Sequence, residues 1–450
     1  MLKPLLLAFV LIAVSVAQPD SAWLFTYPAS KYGESQPLAA FVDDTGNVYV
    51  AGWSEKKADR PDILLLKIDS FGHLVWARTY DNVTAVGASR DTAGNIYIAG
   101  SSTDTAERRL YVLKYSPHGD TQWVRTYGGE HRSFATLGSM AFDDSQNVYA
   151  CGQSESASCA IVRILRYSPS GVPLVTMSYT VSRNLSLSHG YFHILANGDA
   201  YLALNIAHPE TGCGKWLTVK LSRQGQILWE RIYKDTDSTW ERPQWSQLDE
   251  KASIYLTGVV VDRSDILKMD SSGNIVWVRE FKSPENNPDE PPFLFHRKGE
   301  TYLAGWVLKD KVSTDQTRIV IVKYDSLGNE LWASQWGGAD TDAYPGYGSN
   351  WYEPEARPEY CSMNVDDSGN VYVTGWFDYL SSGRLPLSYG FAAVLLKYDS
   401  RGNRVWVRKL PERKGEMWAG AVVGLDNRGA IYEVGMHNMK SIYVLKYRTR

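Results

Sequence analysis

The sequence predicts an all-β fold in which eight small sheets close into a ring. Three observations predict it: a motif returns at a period of about 50 residues, its apolar runs have strand length, and its eighth copy is divided between the two ends of the chain. The second strand of each copy carries a tyrosine, at Tyr49, Tyr97, Tyr149, Tyr201, Tyr255, Tyr302, Tyr372 and Tyr432. A Gly-x-x-x-Trp element follows at Gly72/Trp76, Gly119/Trp123, Gly225/Trp229, Gly273/Trp277, Gly328/Trp332 and Gly402/Trp406, whereas Gly171 is followed at that spacing by Val175. The last copy reaches Lys446 and lacks room for its own turn and Trp element. Trp23-Leu24-Phe25-Thr26-Tyr27, which reads like Trp123-Val124-Arg125-Thr126-Tyr127, supplies what is missing.

Each copy contains four strands. In the first copy the inner strand is Leu38-Ala39-Ala40-Phe41-Val42, the second Val48-Tyr49-Val50, the third Ile63-Leu64-Leu65-Leu66, and the outer one carries Trp76. These runs are β-branched, aromatic or leucine-rich, too short for helices, and bounded by Gly, Asp, Ser and Asn. Their continuous apolarity means that both faces are buried, as when sheets stack face to face around an axis. The turns Asp43-Asp44-Thr45-Gly46-Asn47 and Asp69-Ser70-Phe71-Gly72-His73 put Asp early and Gly where positive φ is needed. The expected architecture is a single eight-bladed β-propeller of four-stranded antiparallel blades, the last closed by the N-terminal strand, which removes a free edge. Radial repetition lets 450 residues remain one domain.

Residues 1–17 carry Lys3, an apolar stretch over 5–16 and the small-x-small site Ser15-Val16-Ala17, the pattern of a cleaved secretory signal. Residues 18–450 are then the propeller, with a secreted, periplasmic or extracellular location. No later apolar run approaches membrane-helix length, and a net charge of −3 argues against a general nucleic-acid surface. In an oxidising compartment Cys151 and Cys159, which bracket a hairpin centred on Glu155, are the candidate disulfide.

The unit Asp366-Asp367-Ser368-Gly369-Asn370-Val371-Tyr372-Val373-Thr374-Gly375, followed by Leu395-Leu396-Lys397-Tyr398-Asp399-Ser400-Arg401-Gly402-Asn403 and Trp406, resembles the bacterial SBBP β-propeller repeat family. That resemblance implies an exported repeat module; the present count is eight blades where the family name implies seven. More distantly, Lys-x-Asp-Ser-x-Gly-x-x-x-Trp resembles the tryptophan-docking repeat of eight-bladed propellers that bind pyrroloquinoline quinone and of their non-enzymatic relatives in outer-membrane assembly. In those the Trp packs between blades. Such quinoproteins often carry adjacent cysteines at the cofactor; this chain has no Cys-Cys pair, and no cofactor is expected.

Strand alternation sends the loops before each inner strand, and those between second and third strands, to one face. That face holds the insertions 234–245, 282–292, 307–317, 337–361 and 378–389, while the opposite face has short turns. Variable loops on a rigid scaffold are where recognition resides. Tyr344, Tyr347, Trp351 and Tyr352 in the longest insertion, with Trp53, Trp240, Trp245, Trp306 and Trp376, are the candidate ligand-binding residues, because aromatics give large contact area at low entropy cost. The Asp-rich turns lack the Asp-x-Asp-x-Asp-Gly order of calcium loops, and His189 and His193 have no third ligand, so no metal site is expected. Neither a Gly-x-Ser-x-Gly elbow nor a His-Glu-x-x-His helix occurs. Asp340, Asp342, Glu353 and Glu355 are the carboxylates that a glycoside-cleaving mechanism would use. The leading expectation is an exported, non-catalytic scaffold that binds a protein or glycan through its loop-rich face. The alternatives are a polysaccharide-acting enzyme and, behind it, a quinoprotein-like oxidoreductase.

Overall fold

The computed structural model describes residues 21–28, 33–57, 60–102, 109–128, 134–136, 140–155, 159–181, 185–207, 214–233, 241–260, 263–281, 293–308, 317–337, 341–345, 363–379, 391–410, 418–438 and 440–448. These form eight antiparallel sheets in a ring, an eight-bladed β-propeller. Blade 1 runs outward as Ser35–Val42, Val48–Lys57, Arg60–Ile68 and Leu74–Tyr80. Blades 2 to 7 follow in chain order. Blade 8 takes Trp418–Leu425, Ile431–His437 and Ser441–Tyr447 from the C-terminal part of the chain and its outer strand, Ser21–Tyr27, from the N-terminal part. Trp23 lies opposite Lys446 and Thr26 opposite Tyr443, the closure that the split repeat predicts.

There is no single core. Buried apolar side chains form eight clusters, one on each blade interface, such as Tyr49, Leu65, Ile98 and Leu113 between blades 1 and 2. A second strand therefore shows successive side chains to two neighbours: Val48 and Val50 meet blade 8, and Tyr49 and Ala51 meet blade 2. This is why its sequence reads as continuously apolar instead of alternating.

The repeated Tyr, Lys, Gly and Trp form a clamp at six of the eight interfaces. The second-strand tyrosine is buried, and a third-strand cation lies over its ring in all eight blades, at 5.0 Å for Lys67 on Tyr49 and 4.9 Å for Lys268 on Tyr255. In blade 2, Trp123 Nε1 and Lys114 Nζ both donate to the Pro169 carbonyl of blade 3, at 3.1 and 2.9 Å. Arg125 lies over Trp123 at 5.5 Å and donates through Nε to the Gly171 carbonyl at 2.6 Å. Gly171 has φ +81°, and a Cβ there would stand 2.8 Å from the indole. Gly72, Gly119, Gly273, Gly328 and Gly402 receive the preceding blade's Trp in the same way. Only glycine satisfies both the backbone and the space.

A second glycine requirement lies near the axis. In blades 1, 2, 5 and 8 the inner strand carries a bulge opposite the glycine three residues after the tyrosine, as with Pro37 across from Gly52. A Cβ on Gly52 would stand 2.0 Å from the Gln36 carbonyl oxygen. Blade 4 reverses the arrangement: Leu204 replaces the second-strand glycine, and Gly190 lies opposite it on the inner strand, where a Cβ would meet Leu204 Cδ2 at 2.6 Å.

Three expectations need correction. Cys151 pairs with Ile164 and Glu155 with Ala160, so the hairpin is centred beyond Glu155; Cys159 lies past the paired end, and the two cysteines form no disulfide. Trp245 belongs to the inner strand Glu241–Leu248 of blade 5, not to a loop. The longest insertion is not simply a connection before an inner strand, because Thr341–Pro345 already pairs as the inner strand of blade 7. In addition, the slot at Gly225, whose expected partner is missing at Val175, is filled by Met177.

The clamp makes two stability predictions, both readable in urea titrations. Trp23→Ala empties the Gly72 slot and removes the Nε1 bond to Ser70 at 2.9 Å; it should cost about 3 kcal/mol, whereas Leu24→Ala, on the exposed side of the same strand, should cost under about 1. Gly52→Ala should destabilise by more than about 2 kcal/mol, because backbone must move to admit the methyl group.

Candidate functional site

The inner strands of neighbouring blades touch one another around the ring and line its axis. In most blades they run unbroken apart from a one-residue bulge. In blade 7 the inner strand leaves the sheet at Pro345, opposite Gly375, and resumes at Met363, opposite Val373. The insertion thus joins the sheet at the bulge position, midway along the strand nearest the axis, instead of at the rim. Tyr347, Trp351 and Tyr352, with Glu353 and Glu355, lie outside the described residues, as do Trp240 and Asp340. Blade 3 shows a smaller break at the same level, between Thr136, opposite Gly152, and Ala141, opposite Tyr149.

The remaining candidate aromatics are distributed among several blades. Trp53 and Trp376 are half-buried at equivalent second-strand positions of blades 1 and 7, each following the bulge glycine. Tyr344 pairs with Trp376 through the backbone ladder, and Trp306 stands at the equivalent position of blade 6. Trp245 packs on Phe293 of blade 6 at 4.5 Å between ring centres, within the interface cluster of blades 5 and 6. Trp245 is therefore a packing residue.

The Asp-rich turns are consumed by their own backbone. Asp43 Oδ1 accepts from the Thr45 and Asn47 amides at 3.0 and 2.9 Å. Burial opposes its ionisation, but these bonds and those from the Thr45 and Asn47 side chains outweigh it and hold the pKa below the usual carboxylate range. His193 Nε2 meets Ser246 Oγ of blade 5 at 2.7 Å, and desolvation pushes its pKa down to about 4. Among the described residues no three His, Cys, Asp or Glu side chains are grouped to hold a metal, and no helix is long and apolar enough to cross a membrane.

Two features escaped the sequence reading. The first is Glu433, fully buried between blades 7 and 8. It occupies the position held by Val50, Ile98, Leu256 and Val373 in other copies, so the repeat alignment itself carried the signal. Thr374 Oγ1 donates to one carboxylate oxygen and Tyr447 to the other, the latter at 2.8 Å; no cation pairs with it among the described residues. Gly420 lies over the site, where a Cβ would meet both Thr374 and Glu433. Burial raises the Glu433 pKa to about 6, and the hydroxyl bonds offset only part of that shift.

The second is the distribution of exposed aliphatic and aromatic surface. Every large exposed apolar residue among the described ones, from Phe71 and Leu74 to Ile227, Ile275 and Leu327, lies on an outer strand or on the turn leading into it. The apolar surface is thus on the circumference of the ring. Clusters of this kind on a folded chain mark contact surfaces more often than scattered single residues do.

Sqt1 from Chaetomium thermophilum has a similar structure, with TM-score 0.52 and 11% identity over 95% of this chain and 98% of that one. The Dos1 propeller matches with TM-score 0.49 and 9% identity over 93% and 95%. The likeness is one of fold. No family model matches the chain, and none of the curated proteins does.

Glu433 predicts an unusual pH dependence. Its folded pKa lies above the unfolded one, so its contribution to stability is fully present below the unfolded value and is lost as pH rises through about 6. By pH ~8 the penalty is about 2 kcal/mol. Chemical denaturation at pH ~4.5 and ~8 should show that Glu433→Gln removes a loss of this size; an unchanged pH profile in the variant would refute the assignment.

Proposed function

We propose that this propeller is an exported, non-catalytic binding scaffold whose partner, a protein or a glycan, is recognised by the insertion in blade 7. The observation that carries this reading is where that insertion meets the sheet. Pro345 and Met363 anchor it midway along the innermost strand, against a frame held by eight packed blade interfaces. A recognition segment works best when both of its ends are fixed by rigid elements, since less freedom is lost on binding. The aromatic content of 346–362 supplies contact area; the rest of the ring supplies rigidity.

Export is part of the same proposal and rests on the signal-like residues 1–17 and on the resemblance of the repeat to exported SBBP modules. A propeller does not by itself specify chemistry. The scaffold reading is supported by carboxylates and hydroxyls that are engaged in turns and interfaces among the described residues, where acid–base work would need groups converging on a cleft.

The test is affinity capture from the source organism's envelope with the full chain and with 347–361 replaced by a short Gly-Ser linker. The linker variant should keep its thermal midpoint and lose its principal partner. A glycan array run in parallel should show binding lost in Trp351→Ala with no reducing ends released. Capture of the same partner by the linker variant would exclude the insertion as the recognition element, and product release abolished by Glu353→Gln would replace the scaffold with an enzyme.

A further inference from the structure

A separate cavity of about 650 Å³ opens on the outer wall of the ring between blades 5 and 6. One side is the outer strand Ile275–Phe281 of blade 5, and the other is the third strand, turn and outer strand of blade 6. Its size falls in the range of small-molecule sites. The residue after the outer-strand Trp, which faces the preceding blade, is the small Ala333 here, as it is Ala77 in blade 1, against Val124, Val278 and Val407 in blades 2, 5 and 7. The floor is apolar, from the buried side chains of Val320 and Val322.

The polar groups in this cleft are held in place but incompletely used. Arg279 lies on Trp277 at 5.6 Å, and three of its N–H groups are spent on the carbonyls of Gly328, Val278 and Leu327; the other two are fixed in direction by those bonds. Asn329 commits its amide nitrogen to Asp325 at 2.9 Å, leaving its carbonyl oxygen. Gln335 accepts from Arg318 at 3.3 Å, leaving its NH₂. Glu280 and Glu330 have no ion-pair partner among the described residues.

Tyr324 offers a further polar group to the cleft. Its side chain is 4% exposed and lines the cleft, and its hydroxyl makes no hydrogen bond among the described residues. At the equivalent position Tyr447 spends its hydroxyl on Glu433, and the Tyr398 hydroxyl is buried without a partner among the described residues. The Tyr324 hydroxyl is thus available to a ligand in the cleft, where it would exchange water for a sugar hydroxyl.

We propose that this cleft binds a neutral oligosaccharide. Planar carboxylate, amide and guanidinium groups accept or donate two bonds side by side, which matches the adjacent hydroxyls of a sugar ring, each of which both donates and accepts. The apolar floor suits the C–H face of the ring. A cationic ligand would have to approach the fixed Arg279 charge, and an anionic one would meet Glu280 and Glu330. This site lies on the outer wall, apart from the blade 7 insertion, so the two proposals fail independently.

The test is saturation-transfer NMR on the full chain with cellotriose, maltotriose and chitotriose, and with cadaverine as a cationic control. At least one trisaccharide should receive saturation from the wild type. Ala333→Trp fills the cleft from an exposed position and should abolish transfer; Tyr324→Phe, nearly isosteric, should weaken binding about fivefold. No transfer to any of the three sugars overturns the proposal, as does transfer undiminished in both variants or binding of cadaverine alone.

Discussion

The docking of an outer-strand tryptophan onto a glycine of the next blade, repeated at six of the eight interfaces, is the interaction on which the ring depends. In blades 2 and 5 the indole is bound on three sides, by a Cβ-free turn, by a carbonyl accepting Nε1 and by an arginine; in blade 1 Trp76 keeps the turn and the arginine. One contact therefore fixes the spacing, the tilt and the hydrogen bonding of neighbouring sheets. Repeated around a closed ring, it leaves no blade free to move independently. The ring departs from the device at two interfaces: Met177, whose flexible thioether fills a slot shaped for an indole, stands at Gly225, and Trp406 packs into the apolar cluster between blades 7 and 8.

The same closure explains where polarity is allowed. Each sheet must be apolar on both faces, so a buried charge is admitted only when a clamp or a hydroxyl network receives it. Asp143 with Arg166 at 2.8 Å and Asp249 with Lys268 at 3.6 Å are paired across their own blades. Glu433 is received by Thr374 of the neighbouring blade and Tyr447 of its own, and it stands at the seam between blades 7 and 8. A carboxylate whose pKa lies near 6 couples that seam to pH in a way that no other interface shows among the described residues.

Much of the fold was legible because packing between identical neighbours imposes the same residue types at the same positions. Tyr49 and its seven counterparts, and the Gly-x-x-x-Trp element, gave the blade count and the closure by Trp23. The disulfide expectation failed because hairpin register is set by cross-strand pairing, Cys151 with Ile164, and two cysteines close in sequence carry no information about that register. Trp245 was misread as a loop aromatic for a related reason: the inner strands are short, bulged and polar at their ends, so their starts have no clear periodic signal. The candidate site was legible as a set of aromatics assigned to one face, but not as an insertion that leaves the sheet midway along an inner strand.

The sequence by itself determined the number of blades, the order of strands within each, the turns and the closure of the ring, because those follow from local propensity and from a repeat that each copy restates. Only the tertiary structure decided that the longest insertion enters at the innermost strand, that Glu433 faces Thr374, and that Ala333 leaves a cleft above Tyr324. Each of these depends on which face of one blade meets which face of the next. That relation joins residues about one repeat apart, and it becomes fixed only when the sheets pack.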